Sequence, residues 1–89
     1  MIGAGIYPDD ILVCARAQPP RHNTIVIAEY EGGFTVKRLL RPSPSTAILH
    51  PENPLYPDIV IPDGNSLQVF GVITAVVRLL NRADHGRTL

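Results

Sequence analysis

The sequence lacks an excess of charge of either sign, and this excludes the usual way of binding nucleic acid directly. In 89 residues, eight lysines and arginines balance eight aspartates and glutamates, which gives a formal net charge of zero. Proteins that bind a phosphate backbone usually carry a basic patch and a high isoelectric point. Positive and negative residues alternate along the chain without forming an acidic or basic tail. We therefore expect no direct contact with nucleic acid.

Cysteine is almost absent, and long apolar runs are absent too. The single cysteine, Cys14, cannot form an internal disulfide, which excludes a disulfide-stapled secreted scaffold. The longest apolar stretch, Val69–Val77, is interrupted by Thr74 and has about half the length that spans a bilayer. No basic-then-apolar signal segment opens the chain. The sequence predicts one small, soluble, cytoplasmic domain at residues 1–82 and a disordered tail at 83–89.

Short runs of branched apolar residues stand between frequent chain breaks. Nine prolines and seven glycines leave little room for long helices. Runs rich in Val, Ile, Thr and Phe are typical of β-strands. They are Ile11–Cys14, Thr24–Glu29, Phe34–Leu40, Thr46–Leu49, Asp58–Ile61 and Leu67–Leu80. The sequence therefore predicts a compact, all-β fold.

Two local features refine this prediction. Glu31-Gly32-Gly33 separates two of the runs and predicts a hairpin turn, because glycine supplies the positive φ that tight hairpins need. Residues 72–80 are apolar on every face, so periodicity alone does not distinguish a buried strand from a helix. The β-branched residues favour a long strand, and Gly71 predicts a bulge or bend in it.

Few side chains indicate a catalytic, nucleotide-binding or metal-binding site. Gly3-Ala4-Gly5 lacks the preceding strand, the third glycine and the following helix of a nucleotide-binding loop, so we interpret it as a turn. His22, His50 and His85 lie in separate loop or terminal contexts without metal-ligand spacing. Cys14 is interpreted as a small apolar core residue. We expect neither a metal nor another cofactor.

Lys37 lies inside the strongest strand signal of the chain. With a period of two, Lys37 shares one face with Thr35 and Leu39, while Arg38 lies on the other face. If either face is buried, one of these two cations must lie against the core. The spacing leaves two interpretations open: a surface lysine whose stem packs on apolar neighbours, or a desolvated lysine that acts as a neutral general base.

Three motifs occur together in a specific combination: Phe-Thr-Val-Lys-Arg-Leu, Asn-x-x-Tyr-x-x-Ile, and a final strand containing Phe-Gly-Val. The matching segments are Met1–Ile6, Asp10–Val13, Thr24–Ala28, Gly33–Leu39, Glu52–Ile59 and Val69–Arg78. In order and spacing these segments resemble the LexA/UmuD family of self-cleaving serine peptidases (peptidase S24). The resemblance covers about residues 1 to 80 and is greatest to the UmuD branch.

The resemblance implies an all-β peptidase core of short, strongly bent strands with a serine–lysine dyad. Such proteins cut one bond in their own N-terminal arm after contact with RecA filaments on single-stranded DNA. The lysine takes the proton of the serine hydroxyl, and backbone amides hold the oxyanion. Lys37 aligns with this general base. After cleavage, a UmuD-like protein is expected to act as a homodimer with an error-prone DNA polymerase in SOS mutagenesis.

The nucleophile is where the chain departs from the family pattern. The family serine comes immediately before the methionine that aligns with Met1, while Ser43, Ser45 and Ser66 fall in predicted loops and match no family serine. The leading strand and the cleavage arm are missing as well. We expect an inactive fragment of a UmuD-like protein. The alternatives are a catalytically dead dimerisation or interaction module, and the C-terminal half of a LexA-like repressor.

Further departures affect turns and sheet edges. The Gly-Asp pairs that the family carries before its first two conserved strands are Asp9-Asp10 and Asn23-Thr24 here, which leaves the turn types open. Without the leading strand, its neighbour in the sheet has unpaired backbone groups that invite another chain. This predicts a homodimer or a larger assembly, with Leu67–Arg78 as the candidate contact strand.

Overall fold

A computed structural model describes residues 1–80 of the chain as one antiparallel sheet. The strands are β1 (Ile11–Ala15), β2 (Ile25–Tyr30), β3 (Gly33–Ser43), β4 (Thr46–His50), β5 (Ile59–Ile61) and β6 (Val69–Val77). Two single-turn 3₁₀ helices lie at Ile2–Ala4 and Gly64–Ser66. The order across the sheet is β1-β6-β2-β3-β4-β5. Because β6 lies between β1 and β2, the expectation that Leu67–Arg78 offers an unpaired edge to another chain is wrong. The prediction of a compact, all-β fold is confirmed.

The hairpin predicted at Glu31-Gly32-Gly33 connects β2 to β3. Glu31 and Gly32 have φ angles of 52° and 80°, and a type I′ hairpin turn requires both to be positive. Gly33 pairs with Tyr30 and already belongs to β3. The turn therefore has two residues, one fewer than the sequence predicted.

The last run forms the single strand β6 and bends beside Gly71. Ile27 of β2 faces Gly71, whereas Ala28 faces Val69, so Phe70 is an extra residue that makes a β-bulge. A Cβ on Gly71 would collide with Sγ of Cys14 on the neighbouring strand. Cys14 is half-buried at this contact and lies outside the buried core cluster. The bulge predicted near Gly71 is confirmed, but Cys14 does not belong to the central core.

Both turns in which the family glycine is replaced keep a left-handed backbone. Asp9 has a φ of 70° and Asn23 a φ of 72°. Asp and Asn are among the non-glycine residues that tolerate this region best, because their short polar side chains bond locally. Glycine would adopt this left-handed backbone at either position without strain.

The core lies on one face of the sheet. Residues directly opposite each other on paired antiparallel strands point to the same face. Val26 on β2 is opposite Val72 on β6, and Leu39 on β3 is opposite Leu49 on β4. The buried cluster consists of Val26, Ala28, Leu39, Ala47, Leu49 and Val72. Lys37 is opposite Val26, so it projects from the core face.

Two further points concern membrane-spanning helices and the C-terminal tail. Between residues 1 and 80, no helix is long and apolar enough to cross a membrane. The disordered tail predicted at residues 83–89 lies outside the described part of the chain.

Candidate active site around Lys37

Lys37 lies on the core face of β3. It is half-buried and lies opposite Val26, which is completely buried. Thr35 and Leu39 share its face, as the period of two predicts, and Leu39 is also completely buried. The structure therefore selects Lys37, and not Arg38, as the strand cation that lies against the core.

Two oxygen atoms hold the Lys37 amine close to its own strand. Nζ donates to Oγ1 of Thr35 at 2.7 Å and to the carbonyl oxygen of Val36 at 3.3 Å. Thr35 is β-branched, so its side chain has few rotamers and presents Oγ1 in a restricted direction. The amine is therefore positioned by Thr35 and does not extend freely into solvent.

A cleft of about 340 Å³ opens beside the amine. Its walls are almost entirely apolar, and its volume is at the lower end of the range for small-ligand sites. The lining residues are Lys37, Pro51, Tyr56, Pro57 and Ile59. The cleft therefore combines one positioned amine with apolar surface.

The loop between β4 and β5 forms the outer wall of this cleft. Its ends are joined by Nδ1 of His50 and Oδ1 of Asp58, which lie 2.5 Å apart. Inside the loop, Oδ1 of Asn53 accepts the Leu55 amide at 3.0 Å, and the Asn53 carbonyl accepts the Tyr56 amide at 3.1 Å. Such an Asx turn reverses the chain locally. In Asn-x-x-Tyr-x-x-Ile, the asparagine thus shapes the turn that carries Tyr56 to the cleft.

The sequence analysis did not identify the walls of the cleft as functional. Pro51, Tyr56 and Pro57 lie outside the predicted strands, and only the Asn-x-x-Tyr-x-x-Ile motif indicated that this loop matters. The prediction also placed His50 in a loop, but His50 is the last residue of β4. Its bond to Asp58 across the loop is a tertiary contact that sequence spacing alone does not indicate.

Arg38 has a structural role on the opposite face. Its Nε pairs with Oε1 of Glu52, and its Nη1 donates to the Asn23 carbonyl at 2.9 Å. Arg38 therefore ties the turn before β2 to the loop after β4. Lys37 therefore lines the cleft, whereas the adjacent Arg38 joins two loops on the other face of β3.

The N-terminal turn approaches the same part of β3. Met1 and Val36 line a common cleft of about 360 Å³, and the Val36 carbonyl accepts from Lys37. A Cβ on Gly3 would collide with the Glu52 carbonyl, so the turn packs closely on the loop after β4. Met1 thus lies next to Val36, the residue before Lys37 in β3, whose side chain points to the face opposite Lys37.

The three serines lie away from the amine. Ser43 is the last residue of β3, which corrects its predicted loop position, and donates to Oγ1 of Thr46 at 2.8 Å. Ser45 lies in the following turn, and Ser66 closes the second 3₁₀ helix. Within residues 1–80, no serine lines the Lys37 cleft.

The histidines occupy unrelated positions. Nδ1 of His22 accepts the Arg41 amide at 2.8 Å, and His50 pairs with Asp58. In the described part of the chain, no group of three or more His, Cys, Asp or Glu side chains could hold a metal ion. His85 lies outside the described residues.

Sequence comparisons with known proteins cover most of the chain. The sequence profile of the Peptidase S24-like family matches residues 1–74, which include the Lys37 strand and its cleft. Protein SamA of Salmonella typhimurium strain LT2 is 41% identical over 80 residues, covering 90% of this chain and 54% of SamA. Protein ImpA of Salmonella typhimurium is 45% identical over 78 residues, covering 83% of this chain and 49% of ImpA.

One relative is a named repressor. The LexA repressor of Verminephrobacter eiseniae is 37% identical over 78 residues, covering 88% of this chain and 34% of the repressor. The chain thus spans about half the length of SamA and ImpA and a smaller share of this repressor.

Proposed function

The chain belongs to the Peptidase S24-like family, and on that premise we propose that it is the core of a UmuD-like self-cleaving serine peptidase with Lys37 as its general base. One observation carries the proposal. Lys37 is a half-buried lysine on the core face of β3, held by Thr35 at 2.7 Å beside an apolar cleft. A positioned amine beside an apolar surface is what a serine–lysine mechanism needs.

The proposed reaction divides the chemistry between Lys37 and a serine. The nucleophile is a serine joined directly to Met1 in a longer polypeptide. Neutral Nζ accepts the proton of the serine hydroxyl while the serine oxygen attacks the scissile carbonyl carbon, which forms a tetrahedral oxyanion. As the intermediate collapses, the peptide C–N bond breaks and Nζ returns the proton to the leaving amine. Water then hydrolyses the acyl ester with the same base.

The position of Met1 supports this assignment. Met1 lines a cleft with Val36, and the Val36 carbonyl accepts from Nζ of Lys37. A residue attached to Met1 therefore begins near the strand segment of the base. The apolar walls of the Lys37 cleft limit water at the reacting atoms, which strengthens electrostatic interactions there.

We extend the proposal to the biological setting. The UmuD-like sequence pattern and the relatives SamA and ImpA support a role in SOS mutagenesis. There, cleavage stimulated by RecA filaments yields a homodimer that acts with an error-prone DNA polymerase. The formal net charge of zero supports a role through protein partners and not through direct DNA contact.

A specific observation favours a second candidate function. No serine lines the Lys37 cleft within residues 1–80, so the 89-residue chain by itself fits a non-cleaving interaction module. The module would keep the peptidase fold and bind the partners of the family. The similarity to a LexA repressor leaves a repressor's C-terminal half as a third candidate.

Self-cleavage of an extended chain tests the proposal. The extended chain joins Met1 to the segment of SamA that precedes its matching region, with a serine placed directly before Met1. We expect mass spectrometry to show one cut in the added arm when RecA filaments on single-stranded DNA are present. Lys37→Ala should abolish the cut, and Arg21→Ala, at an exposed arginine away from the cleft, should keep it. Equal cleavage by the Lys37→Ala and Arg21→Ala chains would contradict Lys37 as the base.

A further inference from the structure

Arg78, the residue directly after β6, joins the end of the sheet to the N-terminal turn. Its Nε donates to Oδ1 of Asp10 at 2.9 Å, and its Nη2 donates to Oδ2 of Asp10 at 2.7 Å. Nη2 also donates to the Gly5 carbonyl at 2.7 Å. A bidentate arginine–carboxylate pair fixes direction as well as distance, which a single bond does not.

The surroundings of this pair differ from those of a typical surface ion pair. The Asp10 side chain is only 3% exposed, and Oδ2 also accepts the Tyr7 amide at 2.9 Å. The Arg78 guanidinium carbon lies 4.6 Å from the centre of the Tyr7 ring. Hydrogen bonding to Asp10 raises the pKa of Arg78 above its ordinary value, so its charge is constant. The Arg78 side chain is 44% exposed, so the two-point geometry and the nearly buried Asp10 carboxylate hold the pair in place.

Backbone hydrogen bonds connect the Arg78 contact to Met1. Gly5, which Arg78 binds through its carbonyl, donates its amide to the Ile2 carbonyl at 2.9 Å. The amides of Ala4 and Ile6 donate to the Met1 carbonyl at 3.0 and 3.1 Å. The position of Gly5 therefore sets the position of Met1.

We infer that Arg78 is a positioning residue for the Lys37 site, because through Asp10 and Gly5 it holds the turn that presents Met1 beside Val36. The inference rests on the proposed function, since it assigns Arg78 the placement of a nucleophile joined to Met1. A displacement of about 1 Å between reacting groups lowers a rate by up to about a hundredfold. A loosened turn would therefore slow cleavage while the sheet stays folded.

Amide hydrogen exchange on the 89-residue chain tests the structural half of this inference. Arg78→Gln removes the charge and the bidentate pair, and Arg78→Lys keeps the charge. We expect exchange at Ala4, Gly5 and Ile6 to become about tenfold faster in Arg78→Gln, because charge-assisted hydrogen bonds are lost. Exchange at Leu39 should stay unchanged. Unchanged exchange at all three turn amides would overturn the inference.

Self-cleavage of the extended chain tests the functional half. Arg78→Gln should cleave at least about tenfold more slowly than the parent, and Arg78→Lys should recover part of the rate. Ile61→Ala, which removes apolar packing at β5, serves as a control for general destabilisation and should cleave normally. Loss of cleavage in Lys37→Ala but parental cleavage in Arg78→Gln would overturn this inference alone. Cleavage that survives Lys37→Ala would overturn the proposed function and this inference with it.

Discussion

Thr35 accepts a hydrogen bond of 2.7 Å from Nζ of Lys37, two residues further along the same face of β3. Lys37 is the only lysine in the sequence, so amine-selective reagents report on it alone apart from the N-terminus. The reactivity of the Lys37 amine, the proposed base, can therefore be measured directly.

Thr35→Val should expose the amine without changing the shape of the strand. Valine keeps the β-branch but removes the acceptor, and one hydrogen bond contributes roughly 0.5–1.5 kcal/mol. We expect acetic anhydride to acetylate Lys37 about threefold faster in the variant, measured by peptide mass spectrometry against the N-terminal amine. Equal rates in variant and parent would mean that Thr35 does not hold Nζ in solution.

Asn23 should tolerate glycine but not alanine. Its φ of 72° places Cβ close to a backbone carbonyl, which costs a typical L-residue about 1–2 kcal/mol. We expect Asn23→Ala to lower the free energy of unfolding by about 1 kcal/mol and Asn23→Gly to change it by less than about 0.5 kcal/mol. Urea unfolding measures both values. An alanine variant as stable as the parent would contradict the left-handed turn.

Gly71 and Cys14 should be energetically coupled. A Cβ on Gly71 would collide with Sγ of Cys14 and would lie 3.2 Å from the Ala15 carbonyl oxygen. We expect Gly71→Ala to destabilise the fold by about 1–3 kcal/mol, the usual cost of overpacking. In a Cys14→Ala background the cost should fall by at least half, because the sulfur is gone.

Gly33 provides the control for this double-mutant cycle of Gly71 and Cys14. A Cβ on Gly33, also in a strand, would meet nothing within 4 Å. Gly33→Ala should therefore leave the urea midpoint nearly unchanged. Additive effects of Gly71→Ala and Cys14→Ala would show that the two residues are not in contact.

Tyr30 makes the stability of the fold depend on pH in the alkaline range. The charge of Glu31, then burial, then a hydrogen bond with Glu31 raise the pKa of Tyr30 above its ordinary value of 10.0. The folded chain thus binds the phenolic proton more tightly than the unfolded chain. The contribution of Tyr30 to stability is complete below pH 10 and is lost as pH rises through its folded pKa.

Glu31→Gln tests the cause of this shift. Without the carboxylate, the Tyr30 titration followed by NMR should move to lower pH, toward 10.0. High salt should move the parent's titration in the same direction, because it screens an exposed charge. An unchanged titration would show that Glu31 does not act on the phenol.

Local sequence patterns were sufficient to predict the strands and the hairpin. Branched apolar runs between proline and glycine breaks predicted all six strands, since those residues fit a pleated, half-buried surface. Glu31-Gly32 supplied the positive φ angles of the hairpin. These features depend on neighbours in the chain and are therefore visible in the sequence.

The candidate site was only partly predictable because it depends on tertiary contacts. The alternation in β3 places Lys37 and Arg38 on opposite faces, but only pairing with Val26 and the neighbouring strands shows which face is buried. The cleft wall depends on the His50–Asp58 contact and on the Asn53 turn. A loop shaped by such contacts has no periodicity that indicates its conformation.

The codon immediately upstream of the Met1 codon tests the central claim most directly. The proposed site needs a serine joined to Met1, next to the strand of Lys37, in a longer form of the protein. Sequencing the gene upstream of Met1 should therefore reveal an in-frame serine codon in that position, preceded by an arm that can be cut. A stop codon or a different residue there would contradict the serine–lysine site and leave only the non-cleaving interaction module.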